Sequence, residues 1–360
     1  MAPAVSHPPG ETGIWSADPT TPAAIEAALS RLEADRSGDD HVHVPARVQN
    51  LVIVVDDAWK GEIANRLDRL DDGNQARTIV VIVEPGRTAL GATAIVTEHP
   101  GGPGDATLFH ERIEISCGTE HLARLAAIVA PVLVSDIGTV VWAPHGHGEA
   151  LEALHGLASA FLIDSLDEPD TVAALTKAVE LSSHAEVIDL AWLRSTPWRE
   201  RMAAAFDPPL WRPALAQISR TEVRMRPGSG IAALLWLGWL SSRLGWDPEP
   251  LAFDPLGEGA GVAATPTGLV DVRIVHDATM PVQGLSGVTV VTREGLSVAL
   301  DRGAGGLVAS RQLPGGEVSR WSVLGASRGE DGILAQGTTH GLVFDPLFRP
   351  ALEHARLLLG

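Results

Sequence analysis

The chain is 360 residues long, enough for one large core or two ordinary ones, and 45% of it is hydrophobic, as in a globular protein. Asp and Glu number 45 against 27 Lys and Arg, a formal charge of −18. Such a surface repels phosphate backbones and anionic lipid heads, which argues against nucleic acid and membrane as partners and for protein surfaces with basic or apolar patches.

The single cysteine, Cys117, excludes an intrachain disulfide and a four-cysteine zinc site. Residues 1–10 show no basic segment followed by an apolar one, as a secretory signal would. The longest apolar stretch, residues 231–240, falls short of the roughly 20 residues that cross a bilayer. A cytoplasmic protein is expected. Ten tryptophans and no tyrosine demand a large core or an interface.

The first forty-odd residues read as an arm rich in Pro, Ser, Thr and Asp, with a short helix over 20–32 that places Ile25, Leu29 and Leu32 on one face. Residues 48–55 and 78–83 are continuous β-branched runs, as in strands buried on both faces. Between them, Ile63, Leu67 and Leu70 have helical spacing. Residues 92–97 and 108–116 read as further strands, followed by a helix from Glu120 with Leu122, Leu125, Ile128 and Val129 inward. A short strand is expected over 139–142 and a helix over 151–161. This alternation predicts an α/β domain with a mixed or mostly parallel sheet and flanking helices over 46–166, after an arm over 1–45.

The polar stretch 164–170 marks the boundary with a C-terminal α+β domain over 167–360. Helices are expected over 171–181, from near Pro197, over 231–244 and over 346–359, with a strand over 218–225. The Gly-rich alternation of 269–323 predicts antiparallel strands joined by tight turns.

Motifs for catalysis are missing. Neither Lys60 nor Lys177 follows a phosphate-cradling glycine loop, and no His-Glu-x-x-His or Gly-x-Ser-x-Gly occurs. Gly257-Glu258-Gly259-Ala260-Gly261 reads as a plain flexible loop rather than a dinucleotide loop. His145 and His147 lack a supporting acidic or cysteine ligand at suitable spacing and read as exposed loop residues. Cys117 precedes a helix start, where a thiolate would be stabilised, yet a buried structural thiol is the better reading. No cofactor and no metal are expected.

The most unusual segment runs from Asp189 to Pro209. Thr196 suits an N-cap and Pro197 the first helical position, while Asp207, Pro208 and Pro209 end the helix. Trp192, Arg194, Trp198 and Arg199 therefore cluster at one helix entry. They form either an anchor patch for a protein partner, since Trp and Arg dominate interface hot spots, or a structural corner with Trp in the core and Arg paired to Asp189 or Asp207.

Asp189-Leu190-Ala191-Trp192, then Thr196-Pro197-Trp198-Arg199 and Phe206-Asp207-Pro208-Pro209, resemble the signature of the OpcA family of glucose-6-phosphate dehydrogenase assembly proteins. Residues 46–52, Pro131-Val132-Leu133-Val134 and residues 229–246 agree with it. The resemblance implies a non-catalytic accessory protein and allosteric activator that binds glucose-6-phosphate dehydrogenase and promotes its active oligomer, in the oxidative pentose phosphate pathway of glucose metabolism. Where family members often carry Trp-Trp-x-Gly, this chain has Trp142-Ala143-Pro144-His145-Gly146. The thiol-based control linked to relatives in photosynthetic bacteria cannot run here through a disulfide internal to one chain. The alternative is an enzyme that binds a nucleotide or sugar phosphate, or a metabolite sensor, using a cleft between the domains.

Overall fold

A computed structural model describes residues 13–35, 47–70, 76–99, 108–324, 329–339 and 345–360. The chain divides into two compact units. The first comprises residues 1–163, 184–187 and 335–343, and the second 164–183, 188–334 and 344–360.

The first unit is built on β1 (Gly13–Ala17), α1 (Pro22–Ala34), β2 (Gln49–Asp56), α2 (Lys60–Asp68), β3 (Ala76–Val83), β4 (Gly91–His99), β5 (Leu108–Cys117), α3 (Leu125–Val129), β6 (Gly138–Trp142), α4 (Gly148–Leu154) and β7 (Ala160–Ile163). With β8 (Glu186–Asp189) they form an eight-stranded sheet in the order β1-β4-β5-β3-β2-β6-β7-β8. The pairings from β5 through β3, β2 and β6 to β7 are parallel, and β4 and β1 add an antiparallel edge. Every residue of β3 is buried, as the unbroken apolar run requires of a strand covered on both faces.

Two expectations need correction in this unit. The helix expected over 151–161 stops at Leu154, and Ala160-Phe161-Leu162-Ile163 is instead the parallel strand β7, fully buried beside β6. A short apolar run carries no periodicity that separates strand from helix, and sheet pairing decides it. The helix expected from Glu120 is split, with 3-10 turns at Thr119–Arg124 and Ala130–Val132 around the five-residue α3.

A buried ion cluster ties this unit together. Glu111, 3% exposed, accepts hydrogen bonds from Arg47 and Arg77, and Arg77 and Arg47 also reach Glu33 of α1 at 2.6 and 2.7 Å. Burial opposes ionisation of Glu111, but the two guanidiniums outweigh it and hold its carboxyl below the usual range.

The second unit contains α5 (Thr171–Ser182), α6 (Leu190–Arg194), α7 (Thr196–Phe206), β9 (Ile218–Met225), α8 (Gly230–Leu244), the short β10 (Asp247–Pro248) and β11 (Ala252–Phe253), β12 (Gly259–Thr265), β13 (Gly268–His276), β14 (Leu285–Thr292), β15 (Ser297–Gly303), β16 (Gly306–Gln312), β17 (Val318–Leu324), the part of α9 (Gly329–Thr339) up to Leu334, and α10 (Phe348–Leu357). Its nine-stranded sheet runs β10-β12-β13-β9-β14-β15-β16-β17, with β11 also on β12. All its pairings are antiparallel except β13 with β9. Gly259, Ala260 and Gly261, expected in a loop, lie in β12 because their backbone pairs with β13. A Cβ on Gly259 would come within 2.8 Å of the Phe253 ring, so these glycines serve close packing.

Alternate residues of the strands point to one buried face: Val270, Val272 and Ile274 of β13, Val288 and Val290 of β14, Val298 and Leu300 of β15. Helix α8 is apolar all round and buried from Ile231 to Ser241, as a central helix must be. It ends at Gly245, whose φ of 63° is the left-handed conformation that glycine adopts at a helix C-terminus. Gly238 sits against the α10 backbone, where a Cβ would collide with the Ala351 carbonyl and come within 2.8 Å of the Ala355 nitrogen. Helix contact this close to backbone cannot relax by a rotamer change. Gly238→Ala is therefore expected to cost about 1–3 kcal/mol, the range for overpacking, and a denaturant melt showing no loss would contradict this packing.

Candidate functional site

Strand β8 ends in Asp189, whose carboxylate begins the next helix. It accepts the Ala191 N–H at 2.9 Å, the Ser165 N–H at 3.2 Å and the Ser165 hydroxyl. The carboxyl group is fully buried. That burial, with the nearby Asp164 charge adding to it, pushes the Asp189 pKa up to about 6 against the opposing hydrogen bonds. Asp189 is thus the side-chain cap of α6.

Helix α7 follows after one residue. Ser195, not Thr196, occupies its cap position, and the Ser195 hydroxyl donates to the Trp192 carbonyl at 2.7 Å. Thr196 is the first helical residue and Pro197 the second, so the cap expected at Thr196 moves back by one position. The cause is α6, a short helix with no counterpart in the sequence reading, which sets the chain direction before Thr196. Helix α7 ends at Phe206, and Asp207, Pro208 and Pro209 follow it in exposed positions.

Trp192 is 2% exposed and fully engaged. Its indole Nε1 donates to Asp345 at 2.7 Å, its ring lies 5.5 Å from that of Phe348, and the Arg199 guanidinium lies 3.4 Å from its ring centre. Arg199 also donates to Ser195 Oγ at 3.0 Å, Thr196 Oγ1 at 2.9 Å and the Trp192 carbonyl at 3.3 Å. Burial lowers the Arg199 pKa to about 10, which still leaves it charged at neutral pH. Trp198 is buried from the same helix.

Arg194 is the more accessible member. It grips Asp164 with two hydrogen bonds of 2.8 and 2.6 Å and reaches Glu330 at 2.6 Å. Burial works against its charge, but those carboxylates raise its pKa. Of the pairings considered from sequence, neither Asp189 nor Asp207 takes either arginine in a salt bridge among the described residues. Asp164, Glu330 and Asp345 were invisible as partners, because they lie 30, 136 and 153 residues away along the chain.

An accessible Trp and Arg group lies just beyond α7, and the sequence reading did not single it out. The Arg311 guanidinium lies 4.6 Å from the Trp211 ring centre and 5.6 Å from that of Trp321. Leu210, at 75% exposed, and Trp321, at 38%, leave this group open to solvent. Arg311 also donates to the Ala205 carbonyl of α7. The cross-strand register of β16 and β17 puts Ala309 opposite Trp321 and Arg311 opposite Ser319, so Trp321 and Arg311 lie diagonally on one face.

In the first unit, the strand order reverses between β2 and β6, the place where open parallel sheets take ligands. The turn after β2 reads Asp56-Asp57-Ala58-Trp59-Lys60, with Lys60 paired to Asp57 at 2.7 Å. Two carboxylates stand where a pyrophosphate would need glycines and free amides, so these residues do not fit a dinucleotide. After β6, His145 stacks on Trp59 at 4.8 Å, and His147 Nε2 lies 3.4 Å from Asp56. Neither histidine is the exposed loop residue expected: His145 is half-buried and the His147 side chain is 10% exposed. Among the described residues no three metal-ligating side chains come together. Cys117 is buried, and burial pushes its thiol up to about 11, which keeps it unreactive.

Two family models match the chain: one described as a glucose-6-phosphate dehydrogenase subunit N-terminal domain over residues 68–180, the other as the corresponding C-terminal domain over residues 185–352. The chain is 29% identical over 149 residues to a protein of Synechocystis sp. provisionally named OxPP cycle protein OpcA, covering 40% of this chain and 31% of that one. It is 30% identical over 142 residues to the protein of the same name in Nostoc punctiforme, covering 38% and 30%. The matched stretch thus spans about a third of the length of these relatives. Among solved structures, an oxidoreductase domain protein from Kribbella flavida is similar at 11% identity and a TM-score of 0.46, covering 87% of this chain and 95% of that one. The apo scyllo-inositol dehydrogenase from Lactobacillus casei is similar at 10% identity and 0.44, covering 88% and 96%. No helix among the described residues is long and apolar enough to cross a membrane.

Asp189 gives the corner a pH signature. Its folded pKa of about 6 lies above its ordinary value of 3.8, so the folded state holds the proton more tightly. The resulting stabilisation is complete below about pH 4 and is lost as pH rises through about 6. Against Asp189→Asn, which does not titrate, the wild type is expected to lose relative stability across that window. Melts at several pH values showing a constant difference would contradict it.

Proposed function

Because the chain belongs to the OpcA family of glucose-6-phosphate dehydrogenase assembly proteins, we propose that it is a non-catalytic accessory protein that binds glucose-6-phosphate dehydrogenase and favours its active oligomer. In this reading it acts in the cytoplasm, at the entry of the oxidative pentose phosphate pathway. The observation that carries the reading is the pair of matches to subunit-domain models, which together span residues 68–180 and 185–352.

The physical requirement is modest. The chain need only bind the active state of the dehydrogenase better than the inactive one, and typical couplings of about 1–3 kcal/mol change an affinity by about 5–150-fold. Composition supports such a role, since tryptophan and arginine supply most interface hot spots. We assign the contact to Leu210, Trp211, Arg311 and Trp321, the tryptophan and arginine group that solvent reaches. A desolvated guanidinium between indole faces also gains from cation–π attraction. Trp192, Trp198 and Arg199 then act as positioning residues: they hold α6 and α7, and Arg311 is tethered to the Ala205 carbonyl of α7.

Titrating the chain into a fixed amount of the dehydrogenase from the same cell is expected to raise kcat/KM to a plateau. Trp211→Ala with Trp321→Ala is expected to shift that titration by about tenfold or more, a hot-spot loss, with little change in the melting temperature of the chain. Trp198→Ala instead is expected to lower stability by about 3–5 kcal/mol, as truncation of a buried aromatic does. A dehydrogenase rate independent of the chain at all concentrations would overturn the proposal.

A further inference from the structure

The second unit contains a cavity of about 340 Å³ that the reading above does not use. Its walls come from three places: the 3-10 turn Arg212–Gln217, the end of α8 with the following Trp246, and the Thr265-Pro266-Thr267 turn between β12 and β13. Ile218 and Trp246, both buried, make an apolar floor together with Leu215 and Leu244. The volume falls at the lower end of the range of small-molecule sites, about 300–1,000 Å³.

The charge of this cavity is opposite to that of the chain. Its lining includes two guanidiniums, Arg212 and Arg243, and no carboxylate, in a protein with a formal charge of −18. Among the described residues neither arginine forms a salt bridge, whereas Arg66, Arg87, Arg112, Arg194, Arg220 and Arg273 all do. Arg212 is held from behind, because its Nη2 donates to the Asp207 carbonyl at 2.8 Å, and among the described residues its other donors have no partner.

A hydrogen bond joins two of the walls. Thr267 Oγ1 donates to the Ala216 carbonyl at 2.8 Å, which stitches the hairpin turn to the 3-10 turn, and Thr265 Oγ1 donates to the Gly268 carbonyl at 2.9 Å. The end of α8 turns the negative end of its dipole toward this cavity, a cost that the two guanidiniums must outweigh. The Gly245 and Trp246 N–H groups both donate to the Ser241 carbonyl, which offsets part of that cost.

We propose that this cavity binds a small organic anion, with a phosphate or carboxylate head held by Arg212 and Arg243 and a compact apolar or ring-shaped body on the Ile218 and Trp246 floor. Planar guanidiniums match both heads with paired hydrogen bonds, so the lining and volume point to the charge and size of the ligand rather than its identity. The site adjoins the contact assigned to the dehydrogenase, since Arg212 follows Trp211, but it shares no residue with that contact and its test needs no dehydrogenase.

Isothermal titration of the full-length chain at low salt with phenyl phosphate, phenylacetate and benzyl alcohol tests it. Saturable binding is expected for one or both anions and not for the neutral alcohol, and the better anion identifies the preferred head. The double variant Arg212→Gln with Arg243→Gln is expected to weaken that binding at least about tenfold, or 1.4 kcal/mol, while Arg201→Ala, an exposed arginine outside the cavity, leaves it unchanged. Both cavity arginines are exposed, so the melting temperature of the double variant checks that the fold is intact. No saturable binding of either anion, equal binding of benzyl alcohol, or an unchanged affinity in the double variant would overturn the proposal.

Discussion

Much of the second unit hangs on how one tryptophan is enclosed. Trp192 has a guanidinium on its face, a carboxylate on its indole N–H and a phenyl ring at its side, drawn from α7, the residue Asp345 and α10. An indole buried without a partner for its N–H would cost free energy, and a guanidinium buried without acceptors would cost more. Here Asp345 accepts from the indole N–H, and oxygens of Ser195, Thr196 and Trp192 accept from the guanidinium. Arg199 keeps its charge against desolvation because three oxygen acceptors and a π face replace water. The direction of α6 and α7, and the exposed surface after α7, follow from that arrangement.

The chain is acidic overall yet distributes its charge in a structured way. In the first unit, carboxylates and guanidiniums are buried as a mutually compensating cluster around Glu111. At the turn after β2, carboxylates stand where a nucleotide-binding fold would offer glycines and amides. In the second unit, arginines with no carboxylate partner among the described residues stand beside Trp211 and Trp321 and around the cavity lined by Arg212 and Arg243. These are the places where an otherwise negative molecule presents positive charge with apolar surface next to it, the combination that recognises acidic groups on a partner.

The α/β class and most elements were legible because strand burial and helix amphipathicity write themselves into the order of residues. Residues 48–55 and 78–83 became the central parallel strands, and the alternation over 269–323 became the antiparallel part of the second sheet. What failed was local ambiguity. Ala160-Phe161-Leu162-Ile163 has no period, so only its pairing with β6 makes it a strand, and Gly259-Ala260-Gly261 has turn composition but strand pairing. The Trp192 to Arg199 cluster was visible as a composition anomaly. Its partners were not, because Asp164, Glu330 and Asp345 reach it only through tertiary structure. Trp211, Arg311 and Trp321 were hidden for the same reason, being assembled from sequence positions about a hundred residues apart.

Association with glucose-6-phosphate dehydrogenase is what the proposed role requires first. Sedimentation velocity of the dehydrogenase, of this chain and of their mixture measures it without reference to catalysis. A faster boundary containing both proteins and a redistribution of the dehydrogenase toward its higher oligomer are expected. Two boundaries identical to those of the separate proteins, at concentrations well above those that activate, would contradict it.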